Sequence, residues 1–211
     1  LKLLNSRKIS FIFDVGANKG QFSLISSYLF PKLKIFAFEP LAKPSKTFLN
    51  IFLNRPLVNL SQVALSREEK ILKIYETNKN DSSSLLIPSP LIKKYFAVKL
   101  KSEYFVKTLS LNDWIDLNEK KFEFKNALLK IDVQGFELEV IKGADKVLQK
   151  FSYIIVELSH QLLYEKQPRA EEVIDYLILK GFILMKTYNN TFGDSGNLIQ
   201  ADYLFQNNDC I

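Results

Sequence analysis

The chain has 211 residues, 47% of them hydrophobic and 25% charged, which suits one domain, spanning 1–211, with a substantial buried core. Its net charge is +6, yet the lysines are scattered and no compact basic cluster with interleaved aromatics argues for nucleic acid, while a phosphorylated or otherwise acidic glycan stays open. One cysteine, Cys210, excludes a disulfide framework and a cysteine-based zinc site, and no run reaches the roughly 18 apolar residues of a membrane span. A reducing cytoplasm is the simplest compartment. The segment LKLLNSRKIS lacks a signal-peptide core, and the first residue is not Met, which leaves room for sequence upstream.

The first element is Phe11 to Gly20, FIFDVGANKG. Three apolar residues run into Asp14, a small-residue turn follows, and Phe22, Leu24, Ile25, Tyr28 and Leu29 then recur at helical spacing. This is the strand, turn and helix that open a nucleotide-binding α/β unit. Small residues let backbone approach a ligand, and the helix start leaves N–H groups to face it. Dinucleotide-binding turns read G-x-G-x-x-G, whereas this one reads D-x-G-x-N-x-G, with Asn18 replacing a glycine. Asparagine enters the left-handed region cheaply, so the turn survives. An acid at the strand end suits a ligand carrying an ammonium group, as S-adenosylmethionine does, better than the pyrophosphate of NAD.

Lys34 to Phe38 predicts a second buried strand ending at Glu39, which falls 19 positions past Gly20. That is close to the offset of about 20 at which an acid meets ribose hydroxyls in such folds. A helix over Lys43 to Leu53 follows, then a third strand over Val58 to Leu65 whose end, Val63-Ala64-Leu65, suits a flat adenine ring. Residues 66–126 break the alternation and predict an insertion between strands three and four. Within it, Ile71 to Thr77 and Phe105 to Leu109 suggest strands, Asp81 to Leu85 (DSSSL) a turn, and Ser110 with Asp113 a helix cap. We expect a hairpin and a cover over the cofactor face; a dimerisation surface is the alternative.

Ala127 to Val133 predicts a fourth buried strand ending in Asp132, with a turn at Gly135. The helix after it shows Val140, Ile141, Ala144, Val147 and Leu148 on one face, with Glu137 and Glu139 near its start, where acids are favoured. Tyr153 to Leu158 is a fifth strand carrying Glu157 and followed by His160, the chain's one histidine. A helix over Glu171 to Lys180 stops at Gly181, and Phe182 to Tyr188 and Leu198 to Phe205 form a terminal antiparallel pair. The polar loop 189–197 between them should open on the same rim as the site. Ligands of open α/β sheets bind at the carboxyl ends of the strands. Those ends supply Asp14, Glu39, Ala64, Asp132 and Glu157 with His160, and acids closing otherwise apolar strands mark a polar site.

Nearly the whole chain resembles the FkbM-type S-adenosylmethionine-dependent methyltransferases. The residues that carry this are FDVGANKGQFS, FAFEP, DSSSL, LLKIDVQGFELEVIKGA, IIVEL and QADYLF, the Lys130 to Ala144 pattern being the most family-specific. Gln134 departs from it, standing where the family usually has an acid. The resemblance implies a Rossmann-like class I methyltransferase fold with a seven-stranded, mostly parallel sheet. It also implies O-methylation, often of sugar or polyketide hydroxyls.

Methyl transfer is an in-line displacement needing an aligned, deprotonated acceptor. We expect Asp14 and the backbone of Gly16, Ala17, Asn18 and Gly20 to hold the methionine end of the cofactor. Glu39 holds the ribose and Ala64 passes the adenine. Asp132 contacts the cofactor or helps the acceptor, directly or through a divalent metal. His160 is the expected base, its ordinary pKa lying near working pH, with Glu157 orienting it. Two other classes compete. A non-catalytic scaffold would not need Glu39 and Asp132, and a nicotinamide oxidoreductase would want the G-x-G-x-x-G turn.

Overall fold

A computed structural model of the chain describes residues 9–118 and 125–210. The expectations placed on 1–8, on 119–124 and on the side chain of Cys210 lie outside them. The strands are β1 (Phe11–Val15), β2 (Lys34–Phe38), β3 (Val58–Ser61), β4 (Ala64–Leu65) and β5 (Lys70–Thr77), then β6 (Leu100–Leu109), β7 (Ala127–Ile131), β8 (Phe151–Ser159), β9 (Phe182–Phe192) and β10 (Leu198–Asn207). The helices are α1 (Gln21–Leu29), α2 (Ala42–Ile51), α3 (Pro90–Phe96), α4 (Leu111–Asn118), α5 (Glu137–Lys142) and α6 (Ala170–Leu179).

Seven strands form the main sheet in the order β3-β2-β1-β7-β8-β10-β9, and β10 runs antiparallel to both its neighbours. The central strands are apolar on both faces because helices cover both. Phe13, Val15, Leu129, Ile131 and Val156 pack with Trp114, Ile115, Val140, Ile141, Val173 and Leu177 from α4, α5 and α6. Ile12, Ile35, Leu128 and Leu204 face the other way, against Phe22 of α1. Phe48 and Phe52, in and just after α2, cover Ala17 and Ala37. The switch in strand order falls between β1 and β7, so the ends of those strands open a crevice.

Four expectations about the elements need correction. The strand expected over Val58 to Leu65 breaks at a tight turn, where Val63 N–H donates to Ser61 O. β4 then leaves the main sheet and joins a second sheet, β4-β6-β5. Second, the helix expected after Gly135 ends at Lys142. A Cβ on Gly143 would lie 2.0 Å from Ser66 O, so the chain crosses β4's exit there and continues as turns. Third, the expected insertion narrows, since Leu111, Trp114 and Ile115 of α4 belong to the main core. Fourth, the polar stretch 189–192 stays in β9. Asn189 takes φ 49° beside a register shift opposite Gln200 and Asp202, so a bulge absorbs what reads as loop. Among the described residues no helix is long and apolar enough to cross a membrane.

Candidate active site

The turn after β1 is held by its own hydrogen bonds. Gly16 and Ala17 both donate to Phe38 O at 3.0 Å, Asn18 N–H donates to Glu39 Oε2 at 2.9 Å, and Gly20 donates to Ala17 O at 2.8 Å. The N–H groups of this turn tie β1 to the end of β2, and of the four residues whose backbone is expected to hold the methionine end, Gly16 and Asn18 line the cavity described next. Gly16 (φ 75°) sits so close to β7 that a Cβ would lie 1.8 Å from Asp132 O. At Gly20 (φ 93°) a Cβ would meet the rings of Phe48 and Phe52, which makes it a packing glycine rather than a ligand-facing one. Ala17 is likewise buried in that packing.

Glu39 is 6% exposed and lines a cavity over the crevice. Leu41 N–H donates to its Oε1 at 2.8 Å and Asn18 N–H to its Oε2, leaving lone pairs on both oxygens toward the cavity. Burial pushes its carboxyl up to about 7. Val63, Ala64, Leu65 and Ile74 give this cavity an apolar wall, and Asn18 and Asp132 line it too. Asn18 Oδ1 is buried without a hydrogen-bond partner, an acceptor that a bound donor would satisfy.

Asp14 does not reach this cavity. Its carboxylate is fully buried, accepts from Ser23 Oγ at 2.6 Å, and lies 3.4 Å from Lys130 Nζ. The same ammonium is 3.4 Å from Asp132 Oδ2 and 3.3 Å from Gly16 O. Burial alone would lower the Lys130 pKa, but Asp132, Asp14 and Glu157 outweigh it and hold the ammonium above its usual value. The expected direct contact of Asp14 with the cofactor is therefore replaced by a support for Lys130. That lysine reads in sequence as one more residue of an apolar strand.

A second cavity is lined by Lys79, Asp81, Phe96, Asp132, Gln134, Glu157 and Gln200. Asp81, Asp132 and Gln134 line both cavities and form the wall between them. A third hollow continues past Lys130, Asn189 and Asp202, where Asn189 Nδ2 donates to Asp202 Oδ2 at 2.6 Å. Glu157 lies directly across from Asp202 in the β8–β10 ladder. Its Oε2 accepts from Gln134 Nε2 at 2.8 Å and its Oε1 from Gln200 Nε2 at 3.1 Å. Burial, then Asp132, Asp202 and Glu137, raise its pKa well above the carboxylate range.

His160 is elsewhere. Its Nε2 lies 2.6 Å from the Tyr203 hydroxyl and its Nδ1 3.4 Å from Glu171 Oε1 on α6. Tyr203 belongs to the core on the α6 side of the sheet, whereas Lys130 and Asp202 face the third hollow. The ring lines none of the three cavities, so the expected base, and Glu157 as its orienting partner, are corrected. Besides Lys130, the sequence reading gave no site role to Glu137, Tyr164 or Gln134. Glu137, 4% exposed, accepts from Val133 and Gly135 N–H and shapes the β7–α5 turn, and burial pushes it up to about 7. Tyr164 and Gln134 tie that turn to the DSSSL segment. Only the glutamine, breaking an acidic pattern, signalled itself. Among the described residues no group of three or more His, Cys, Asp or Glu side chains could hold a metal ion.

Solved structures of methyltransferases share this architecture. An FkbM methyltransferase from Methylobacillus flagellatus superposes with a TM-score of 0.55 at 12% identity, over 93% of this chain and 44% of that one. Aeropyrum pernix fibrillarin with bound S-adenosyl-L-methionine gives 0.53 at 12% identity, over 97% of this chain and 70% of that one. The sheet is thus that of a class I methyltransferase. The FkbM methyltransferase domain model matches residues 14–184, and the chain belongs to that family.

Among characterised relatives, the 2-O-methyltransferase NoeI of Sinorhizobium fredii is 29% identical over 79% of this chain and 70% of its own length. The hexuronic acid methyltransferase AglP of Haloferax volcanii is 29% identical over 70% of this chain and 55% of its own. The chain thus spans little more than half the length of some of its relatives.

Proposed function

We propose that this chain transfers a methyl group from S-adenosylmethionine to a hydroxyl of a sugar, glycan or related small metabolite. The observation that carries the reading is the wall of Asp81, Asp132 and Gln134 shared by two cavities, one suited to a nucleoside and the other polar around Glu157. When bound, the cofactor supplies a methyl group activated on a sulfonium. Glu39 accepts the ribose hydroxyls while the Asn18 and Leu41 N–H groups hold it still. Val63, Ala64, Leu65 and Ile74 receive the adenine. Asp132 and the Asn18 amide oxygen receive positive or hydrogen-donating parts of the cofactor beside the wall.

Across the wall, Phe96 and the carboxylates and amides around it match a ring that is apolar on its faces and hydroxylated at its edge. Glu157 takes the hydroxyl proton. Burial and like charges raise it above the usual carboxylate range, which makes its carboxylate a stronger base than an exposed one. Asp14 and Lys130 support Asp132 from below. The activities for which the two relatives are named, one of them hexuronic acid methylation, support the sugar class. We read the chain as one domain with a cap, and a single cysteine fits a reducing cytoplasm.

Calorimetry with S-adenosylmethionine and with NAD tests the reading. Heat with the former alone is expected, and no heat with the folded protein ends it. Mass spectrometry of a glycan pool incubated with enzyme and isotopically labelled cofactor then identifies the acceptor. A chelator arm with divalent ions added back tests metal dependence.

A further inference from the structure

Gln134 follows the end of β7 at φ 60°, a left-handed conformation unusual for a residue with a long side chain. Strained backbone of this kind persists where surrounding contacts over-determine it, and here they do. Ser84 Oγ donates to its carbonyl at 2.7 Å, and the Tyr164 hydroxyl lies 3.0 Å from its Oε1. Its Nε2 lies 2.8 Å from Asp132 Oδ1 and 2.8 Å from Glu157 Oε2. The chemistry fixes which way the amide points. Two carboxylates need donors, so the nitrogen faces the acids, and the oxygen faces the Tyr164 hydroxyl, whose one proton it shares with Ser82 O at 2.8 Å. A primary amide has two N–H bonds, and both are spent.

Glu157 is therefore gripped by two neutral amides, Gln134 on one oxygen and Gln200 on the other. The Lys130 ammonium, 3.4 Å from both Asp14 and Asp132, acts on Glu157 by its charge at a distance. A cation in the place of Gln134 would hold the carboxylate as firmly but strip it of basicity, whereas a third carboxylate would repel it.

We propose that Gln134 is a positioning residue, a neutral clamp that spaces Glu157 from Asp132 and keeps Glu157 competent as the acceptor's base. The inference rests on the methyltransferase reading for what Glu157 does, but not for how it is held. The groups facing Glu157 are Lys130 on β7 with Asp132 just after it, Glu137 on α5, Tyr164, and Asp202 with Gln200 on β10. Burial and the three carboxylates favour its protonated form and Lys130 opposes them, so the lost amide is read against a defined field.

The test is the titration of Glu157 itself, followed by carbon NMR of protein labelled at glutamate carboxyls and assigned with Glu157→Gln. Gln134→Leu removes both donors at similar volume, and Gln134→Glu adds a like charge. Both are expected to raise the Glu157 midpoint by about one pH unit. If either folded variant leaves it where it stands in the unaltered protein, the clamp is overturned. Should Gln134→Leu fail to fold, Gln134→Glu decides alone. Calorimetry with S-adenosylmethionine on the same samples separates the two ideas. An unaltered protein that binds no cofactor ends the methyltransferase reading, while the titration still answers for the clamp.

Discussion

Glu39 illustrates how one side chain depends on its surroundings. Two backbone donors orient it and burial raises it to about 7. It contacts ribose best as a carboxylate, so cofactor affinity should rise as pH climbs through about 7 and weaken below it, which calorimetry across pH 5.5–8.5 would show. Glu39→Gln should weaken S-adenosylmethionine binding by about tenfold or more, because a charged hydrogen-bond acceptor becomes neutral. Glu137 gives a stability signature instead. Its folded pKa of about 7 stands above the ordinary value of 4.5, so its contribution is full below 4.5 and is lost as pH rises through 7. Glu137→Gln should flatten that fall in urea unfolding between those limits. His160→Ala should leave turnover and cofactor affinity unchanged, since its partners are Tyr203 and Glu171. A large drop in turnover would restore it to the mechanism.

At the scale of elements, the acids were legible because each closes an apolar strand. Glu39 and Asp132 directly follow β2 and β7, Glu157 lies two residues before the end of β8, and all three line the cavities. Lys130 was not legible, because a lysine inside ALLKIDV has no meaning until Asp14 and Asp132 are seen on either side of its ammonium. His160 misled for a related reason. Strand ends are single residues in sequence, but successive residues face opposite sides of the sheet, so being three positions past Glu157 placed it with α6. The turn glycine makes the sharpest element-level prediction. Gly16→Ala should cost about 1–3 kcal/mol and abolish cofactor binding, because its Cβ would displace the Asp132 carbonyl. At the start of α4, Ser110 accepts from Asp113 N–H at 3.0 Å, and Ser110→Ala should cost about 1 kcal/mol in denaturant midpoint experiments.

On the scale of the whole molecule, the cap meets the main body through a hydrophobic cluster, Ile92 and Val98 against Leu163, Tyr164 and Ile199, and through polar contacts at the edge of the site. Ser84 and Ser82 reach Gln134 and Tyr164, and Pro88 pairs with Tyr164 as an isolated bridge. Tyr164→Phe should therefore quicken hydrogen exchange over 80–98 while the central strands keep their protection. Unchanged exchange there would mean that the cap is held elsewhere.

Sequence alone determined the strand and helix periods, the acids near the strand ends and, through the resemblance of its motifs, the family. These are local properties, written in the alternation of apolar and polar residues along one segment. The tertiary structure decided which of those acids share a cavity, which face His160 takes, and where the turn's N–H groups go. Each of these depends on residues far apart in the chain, and on burial that no single segment encodes.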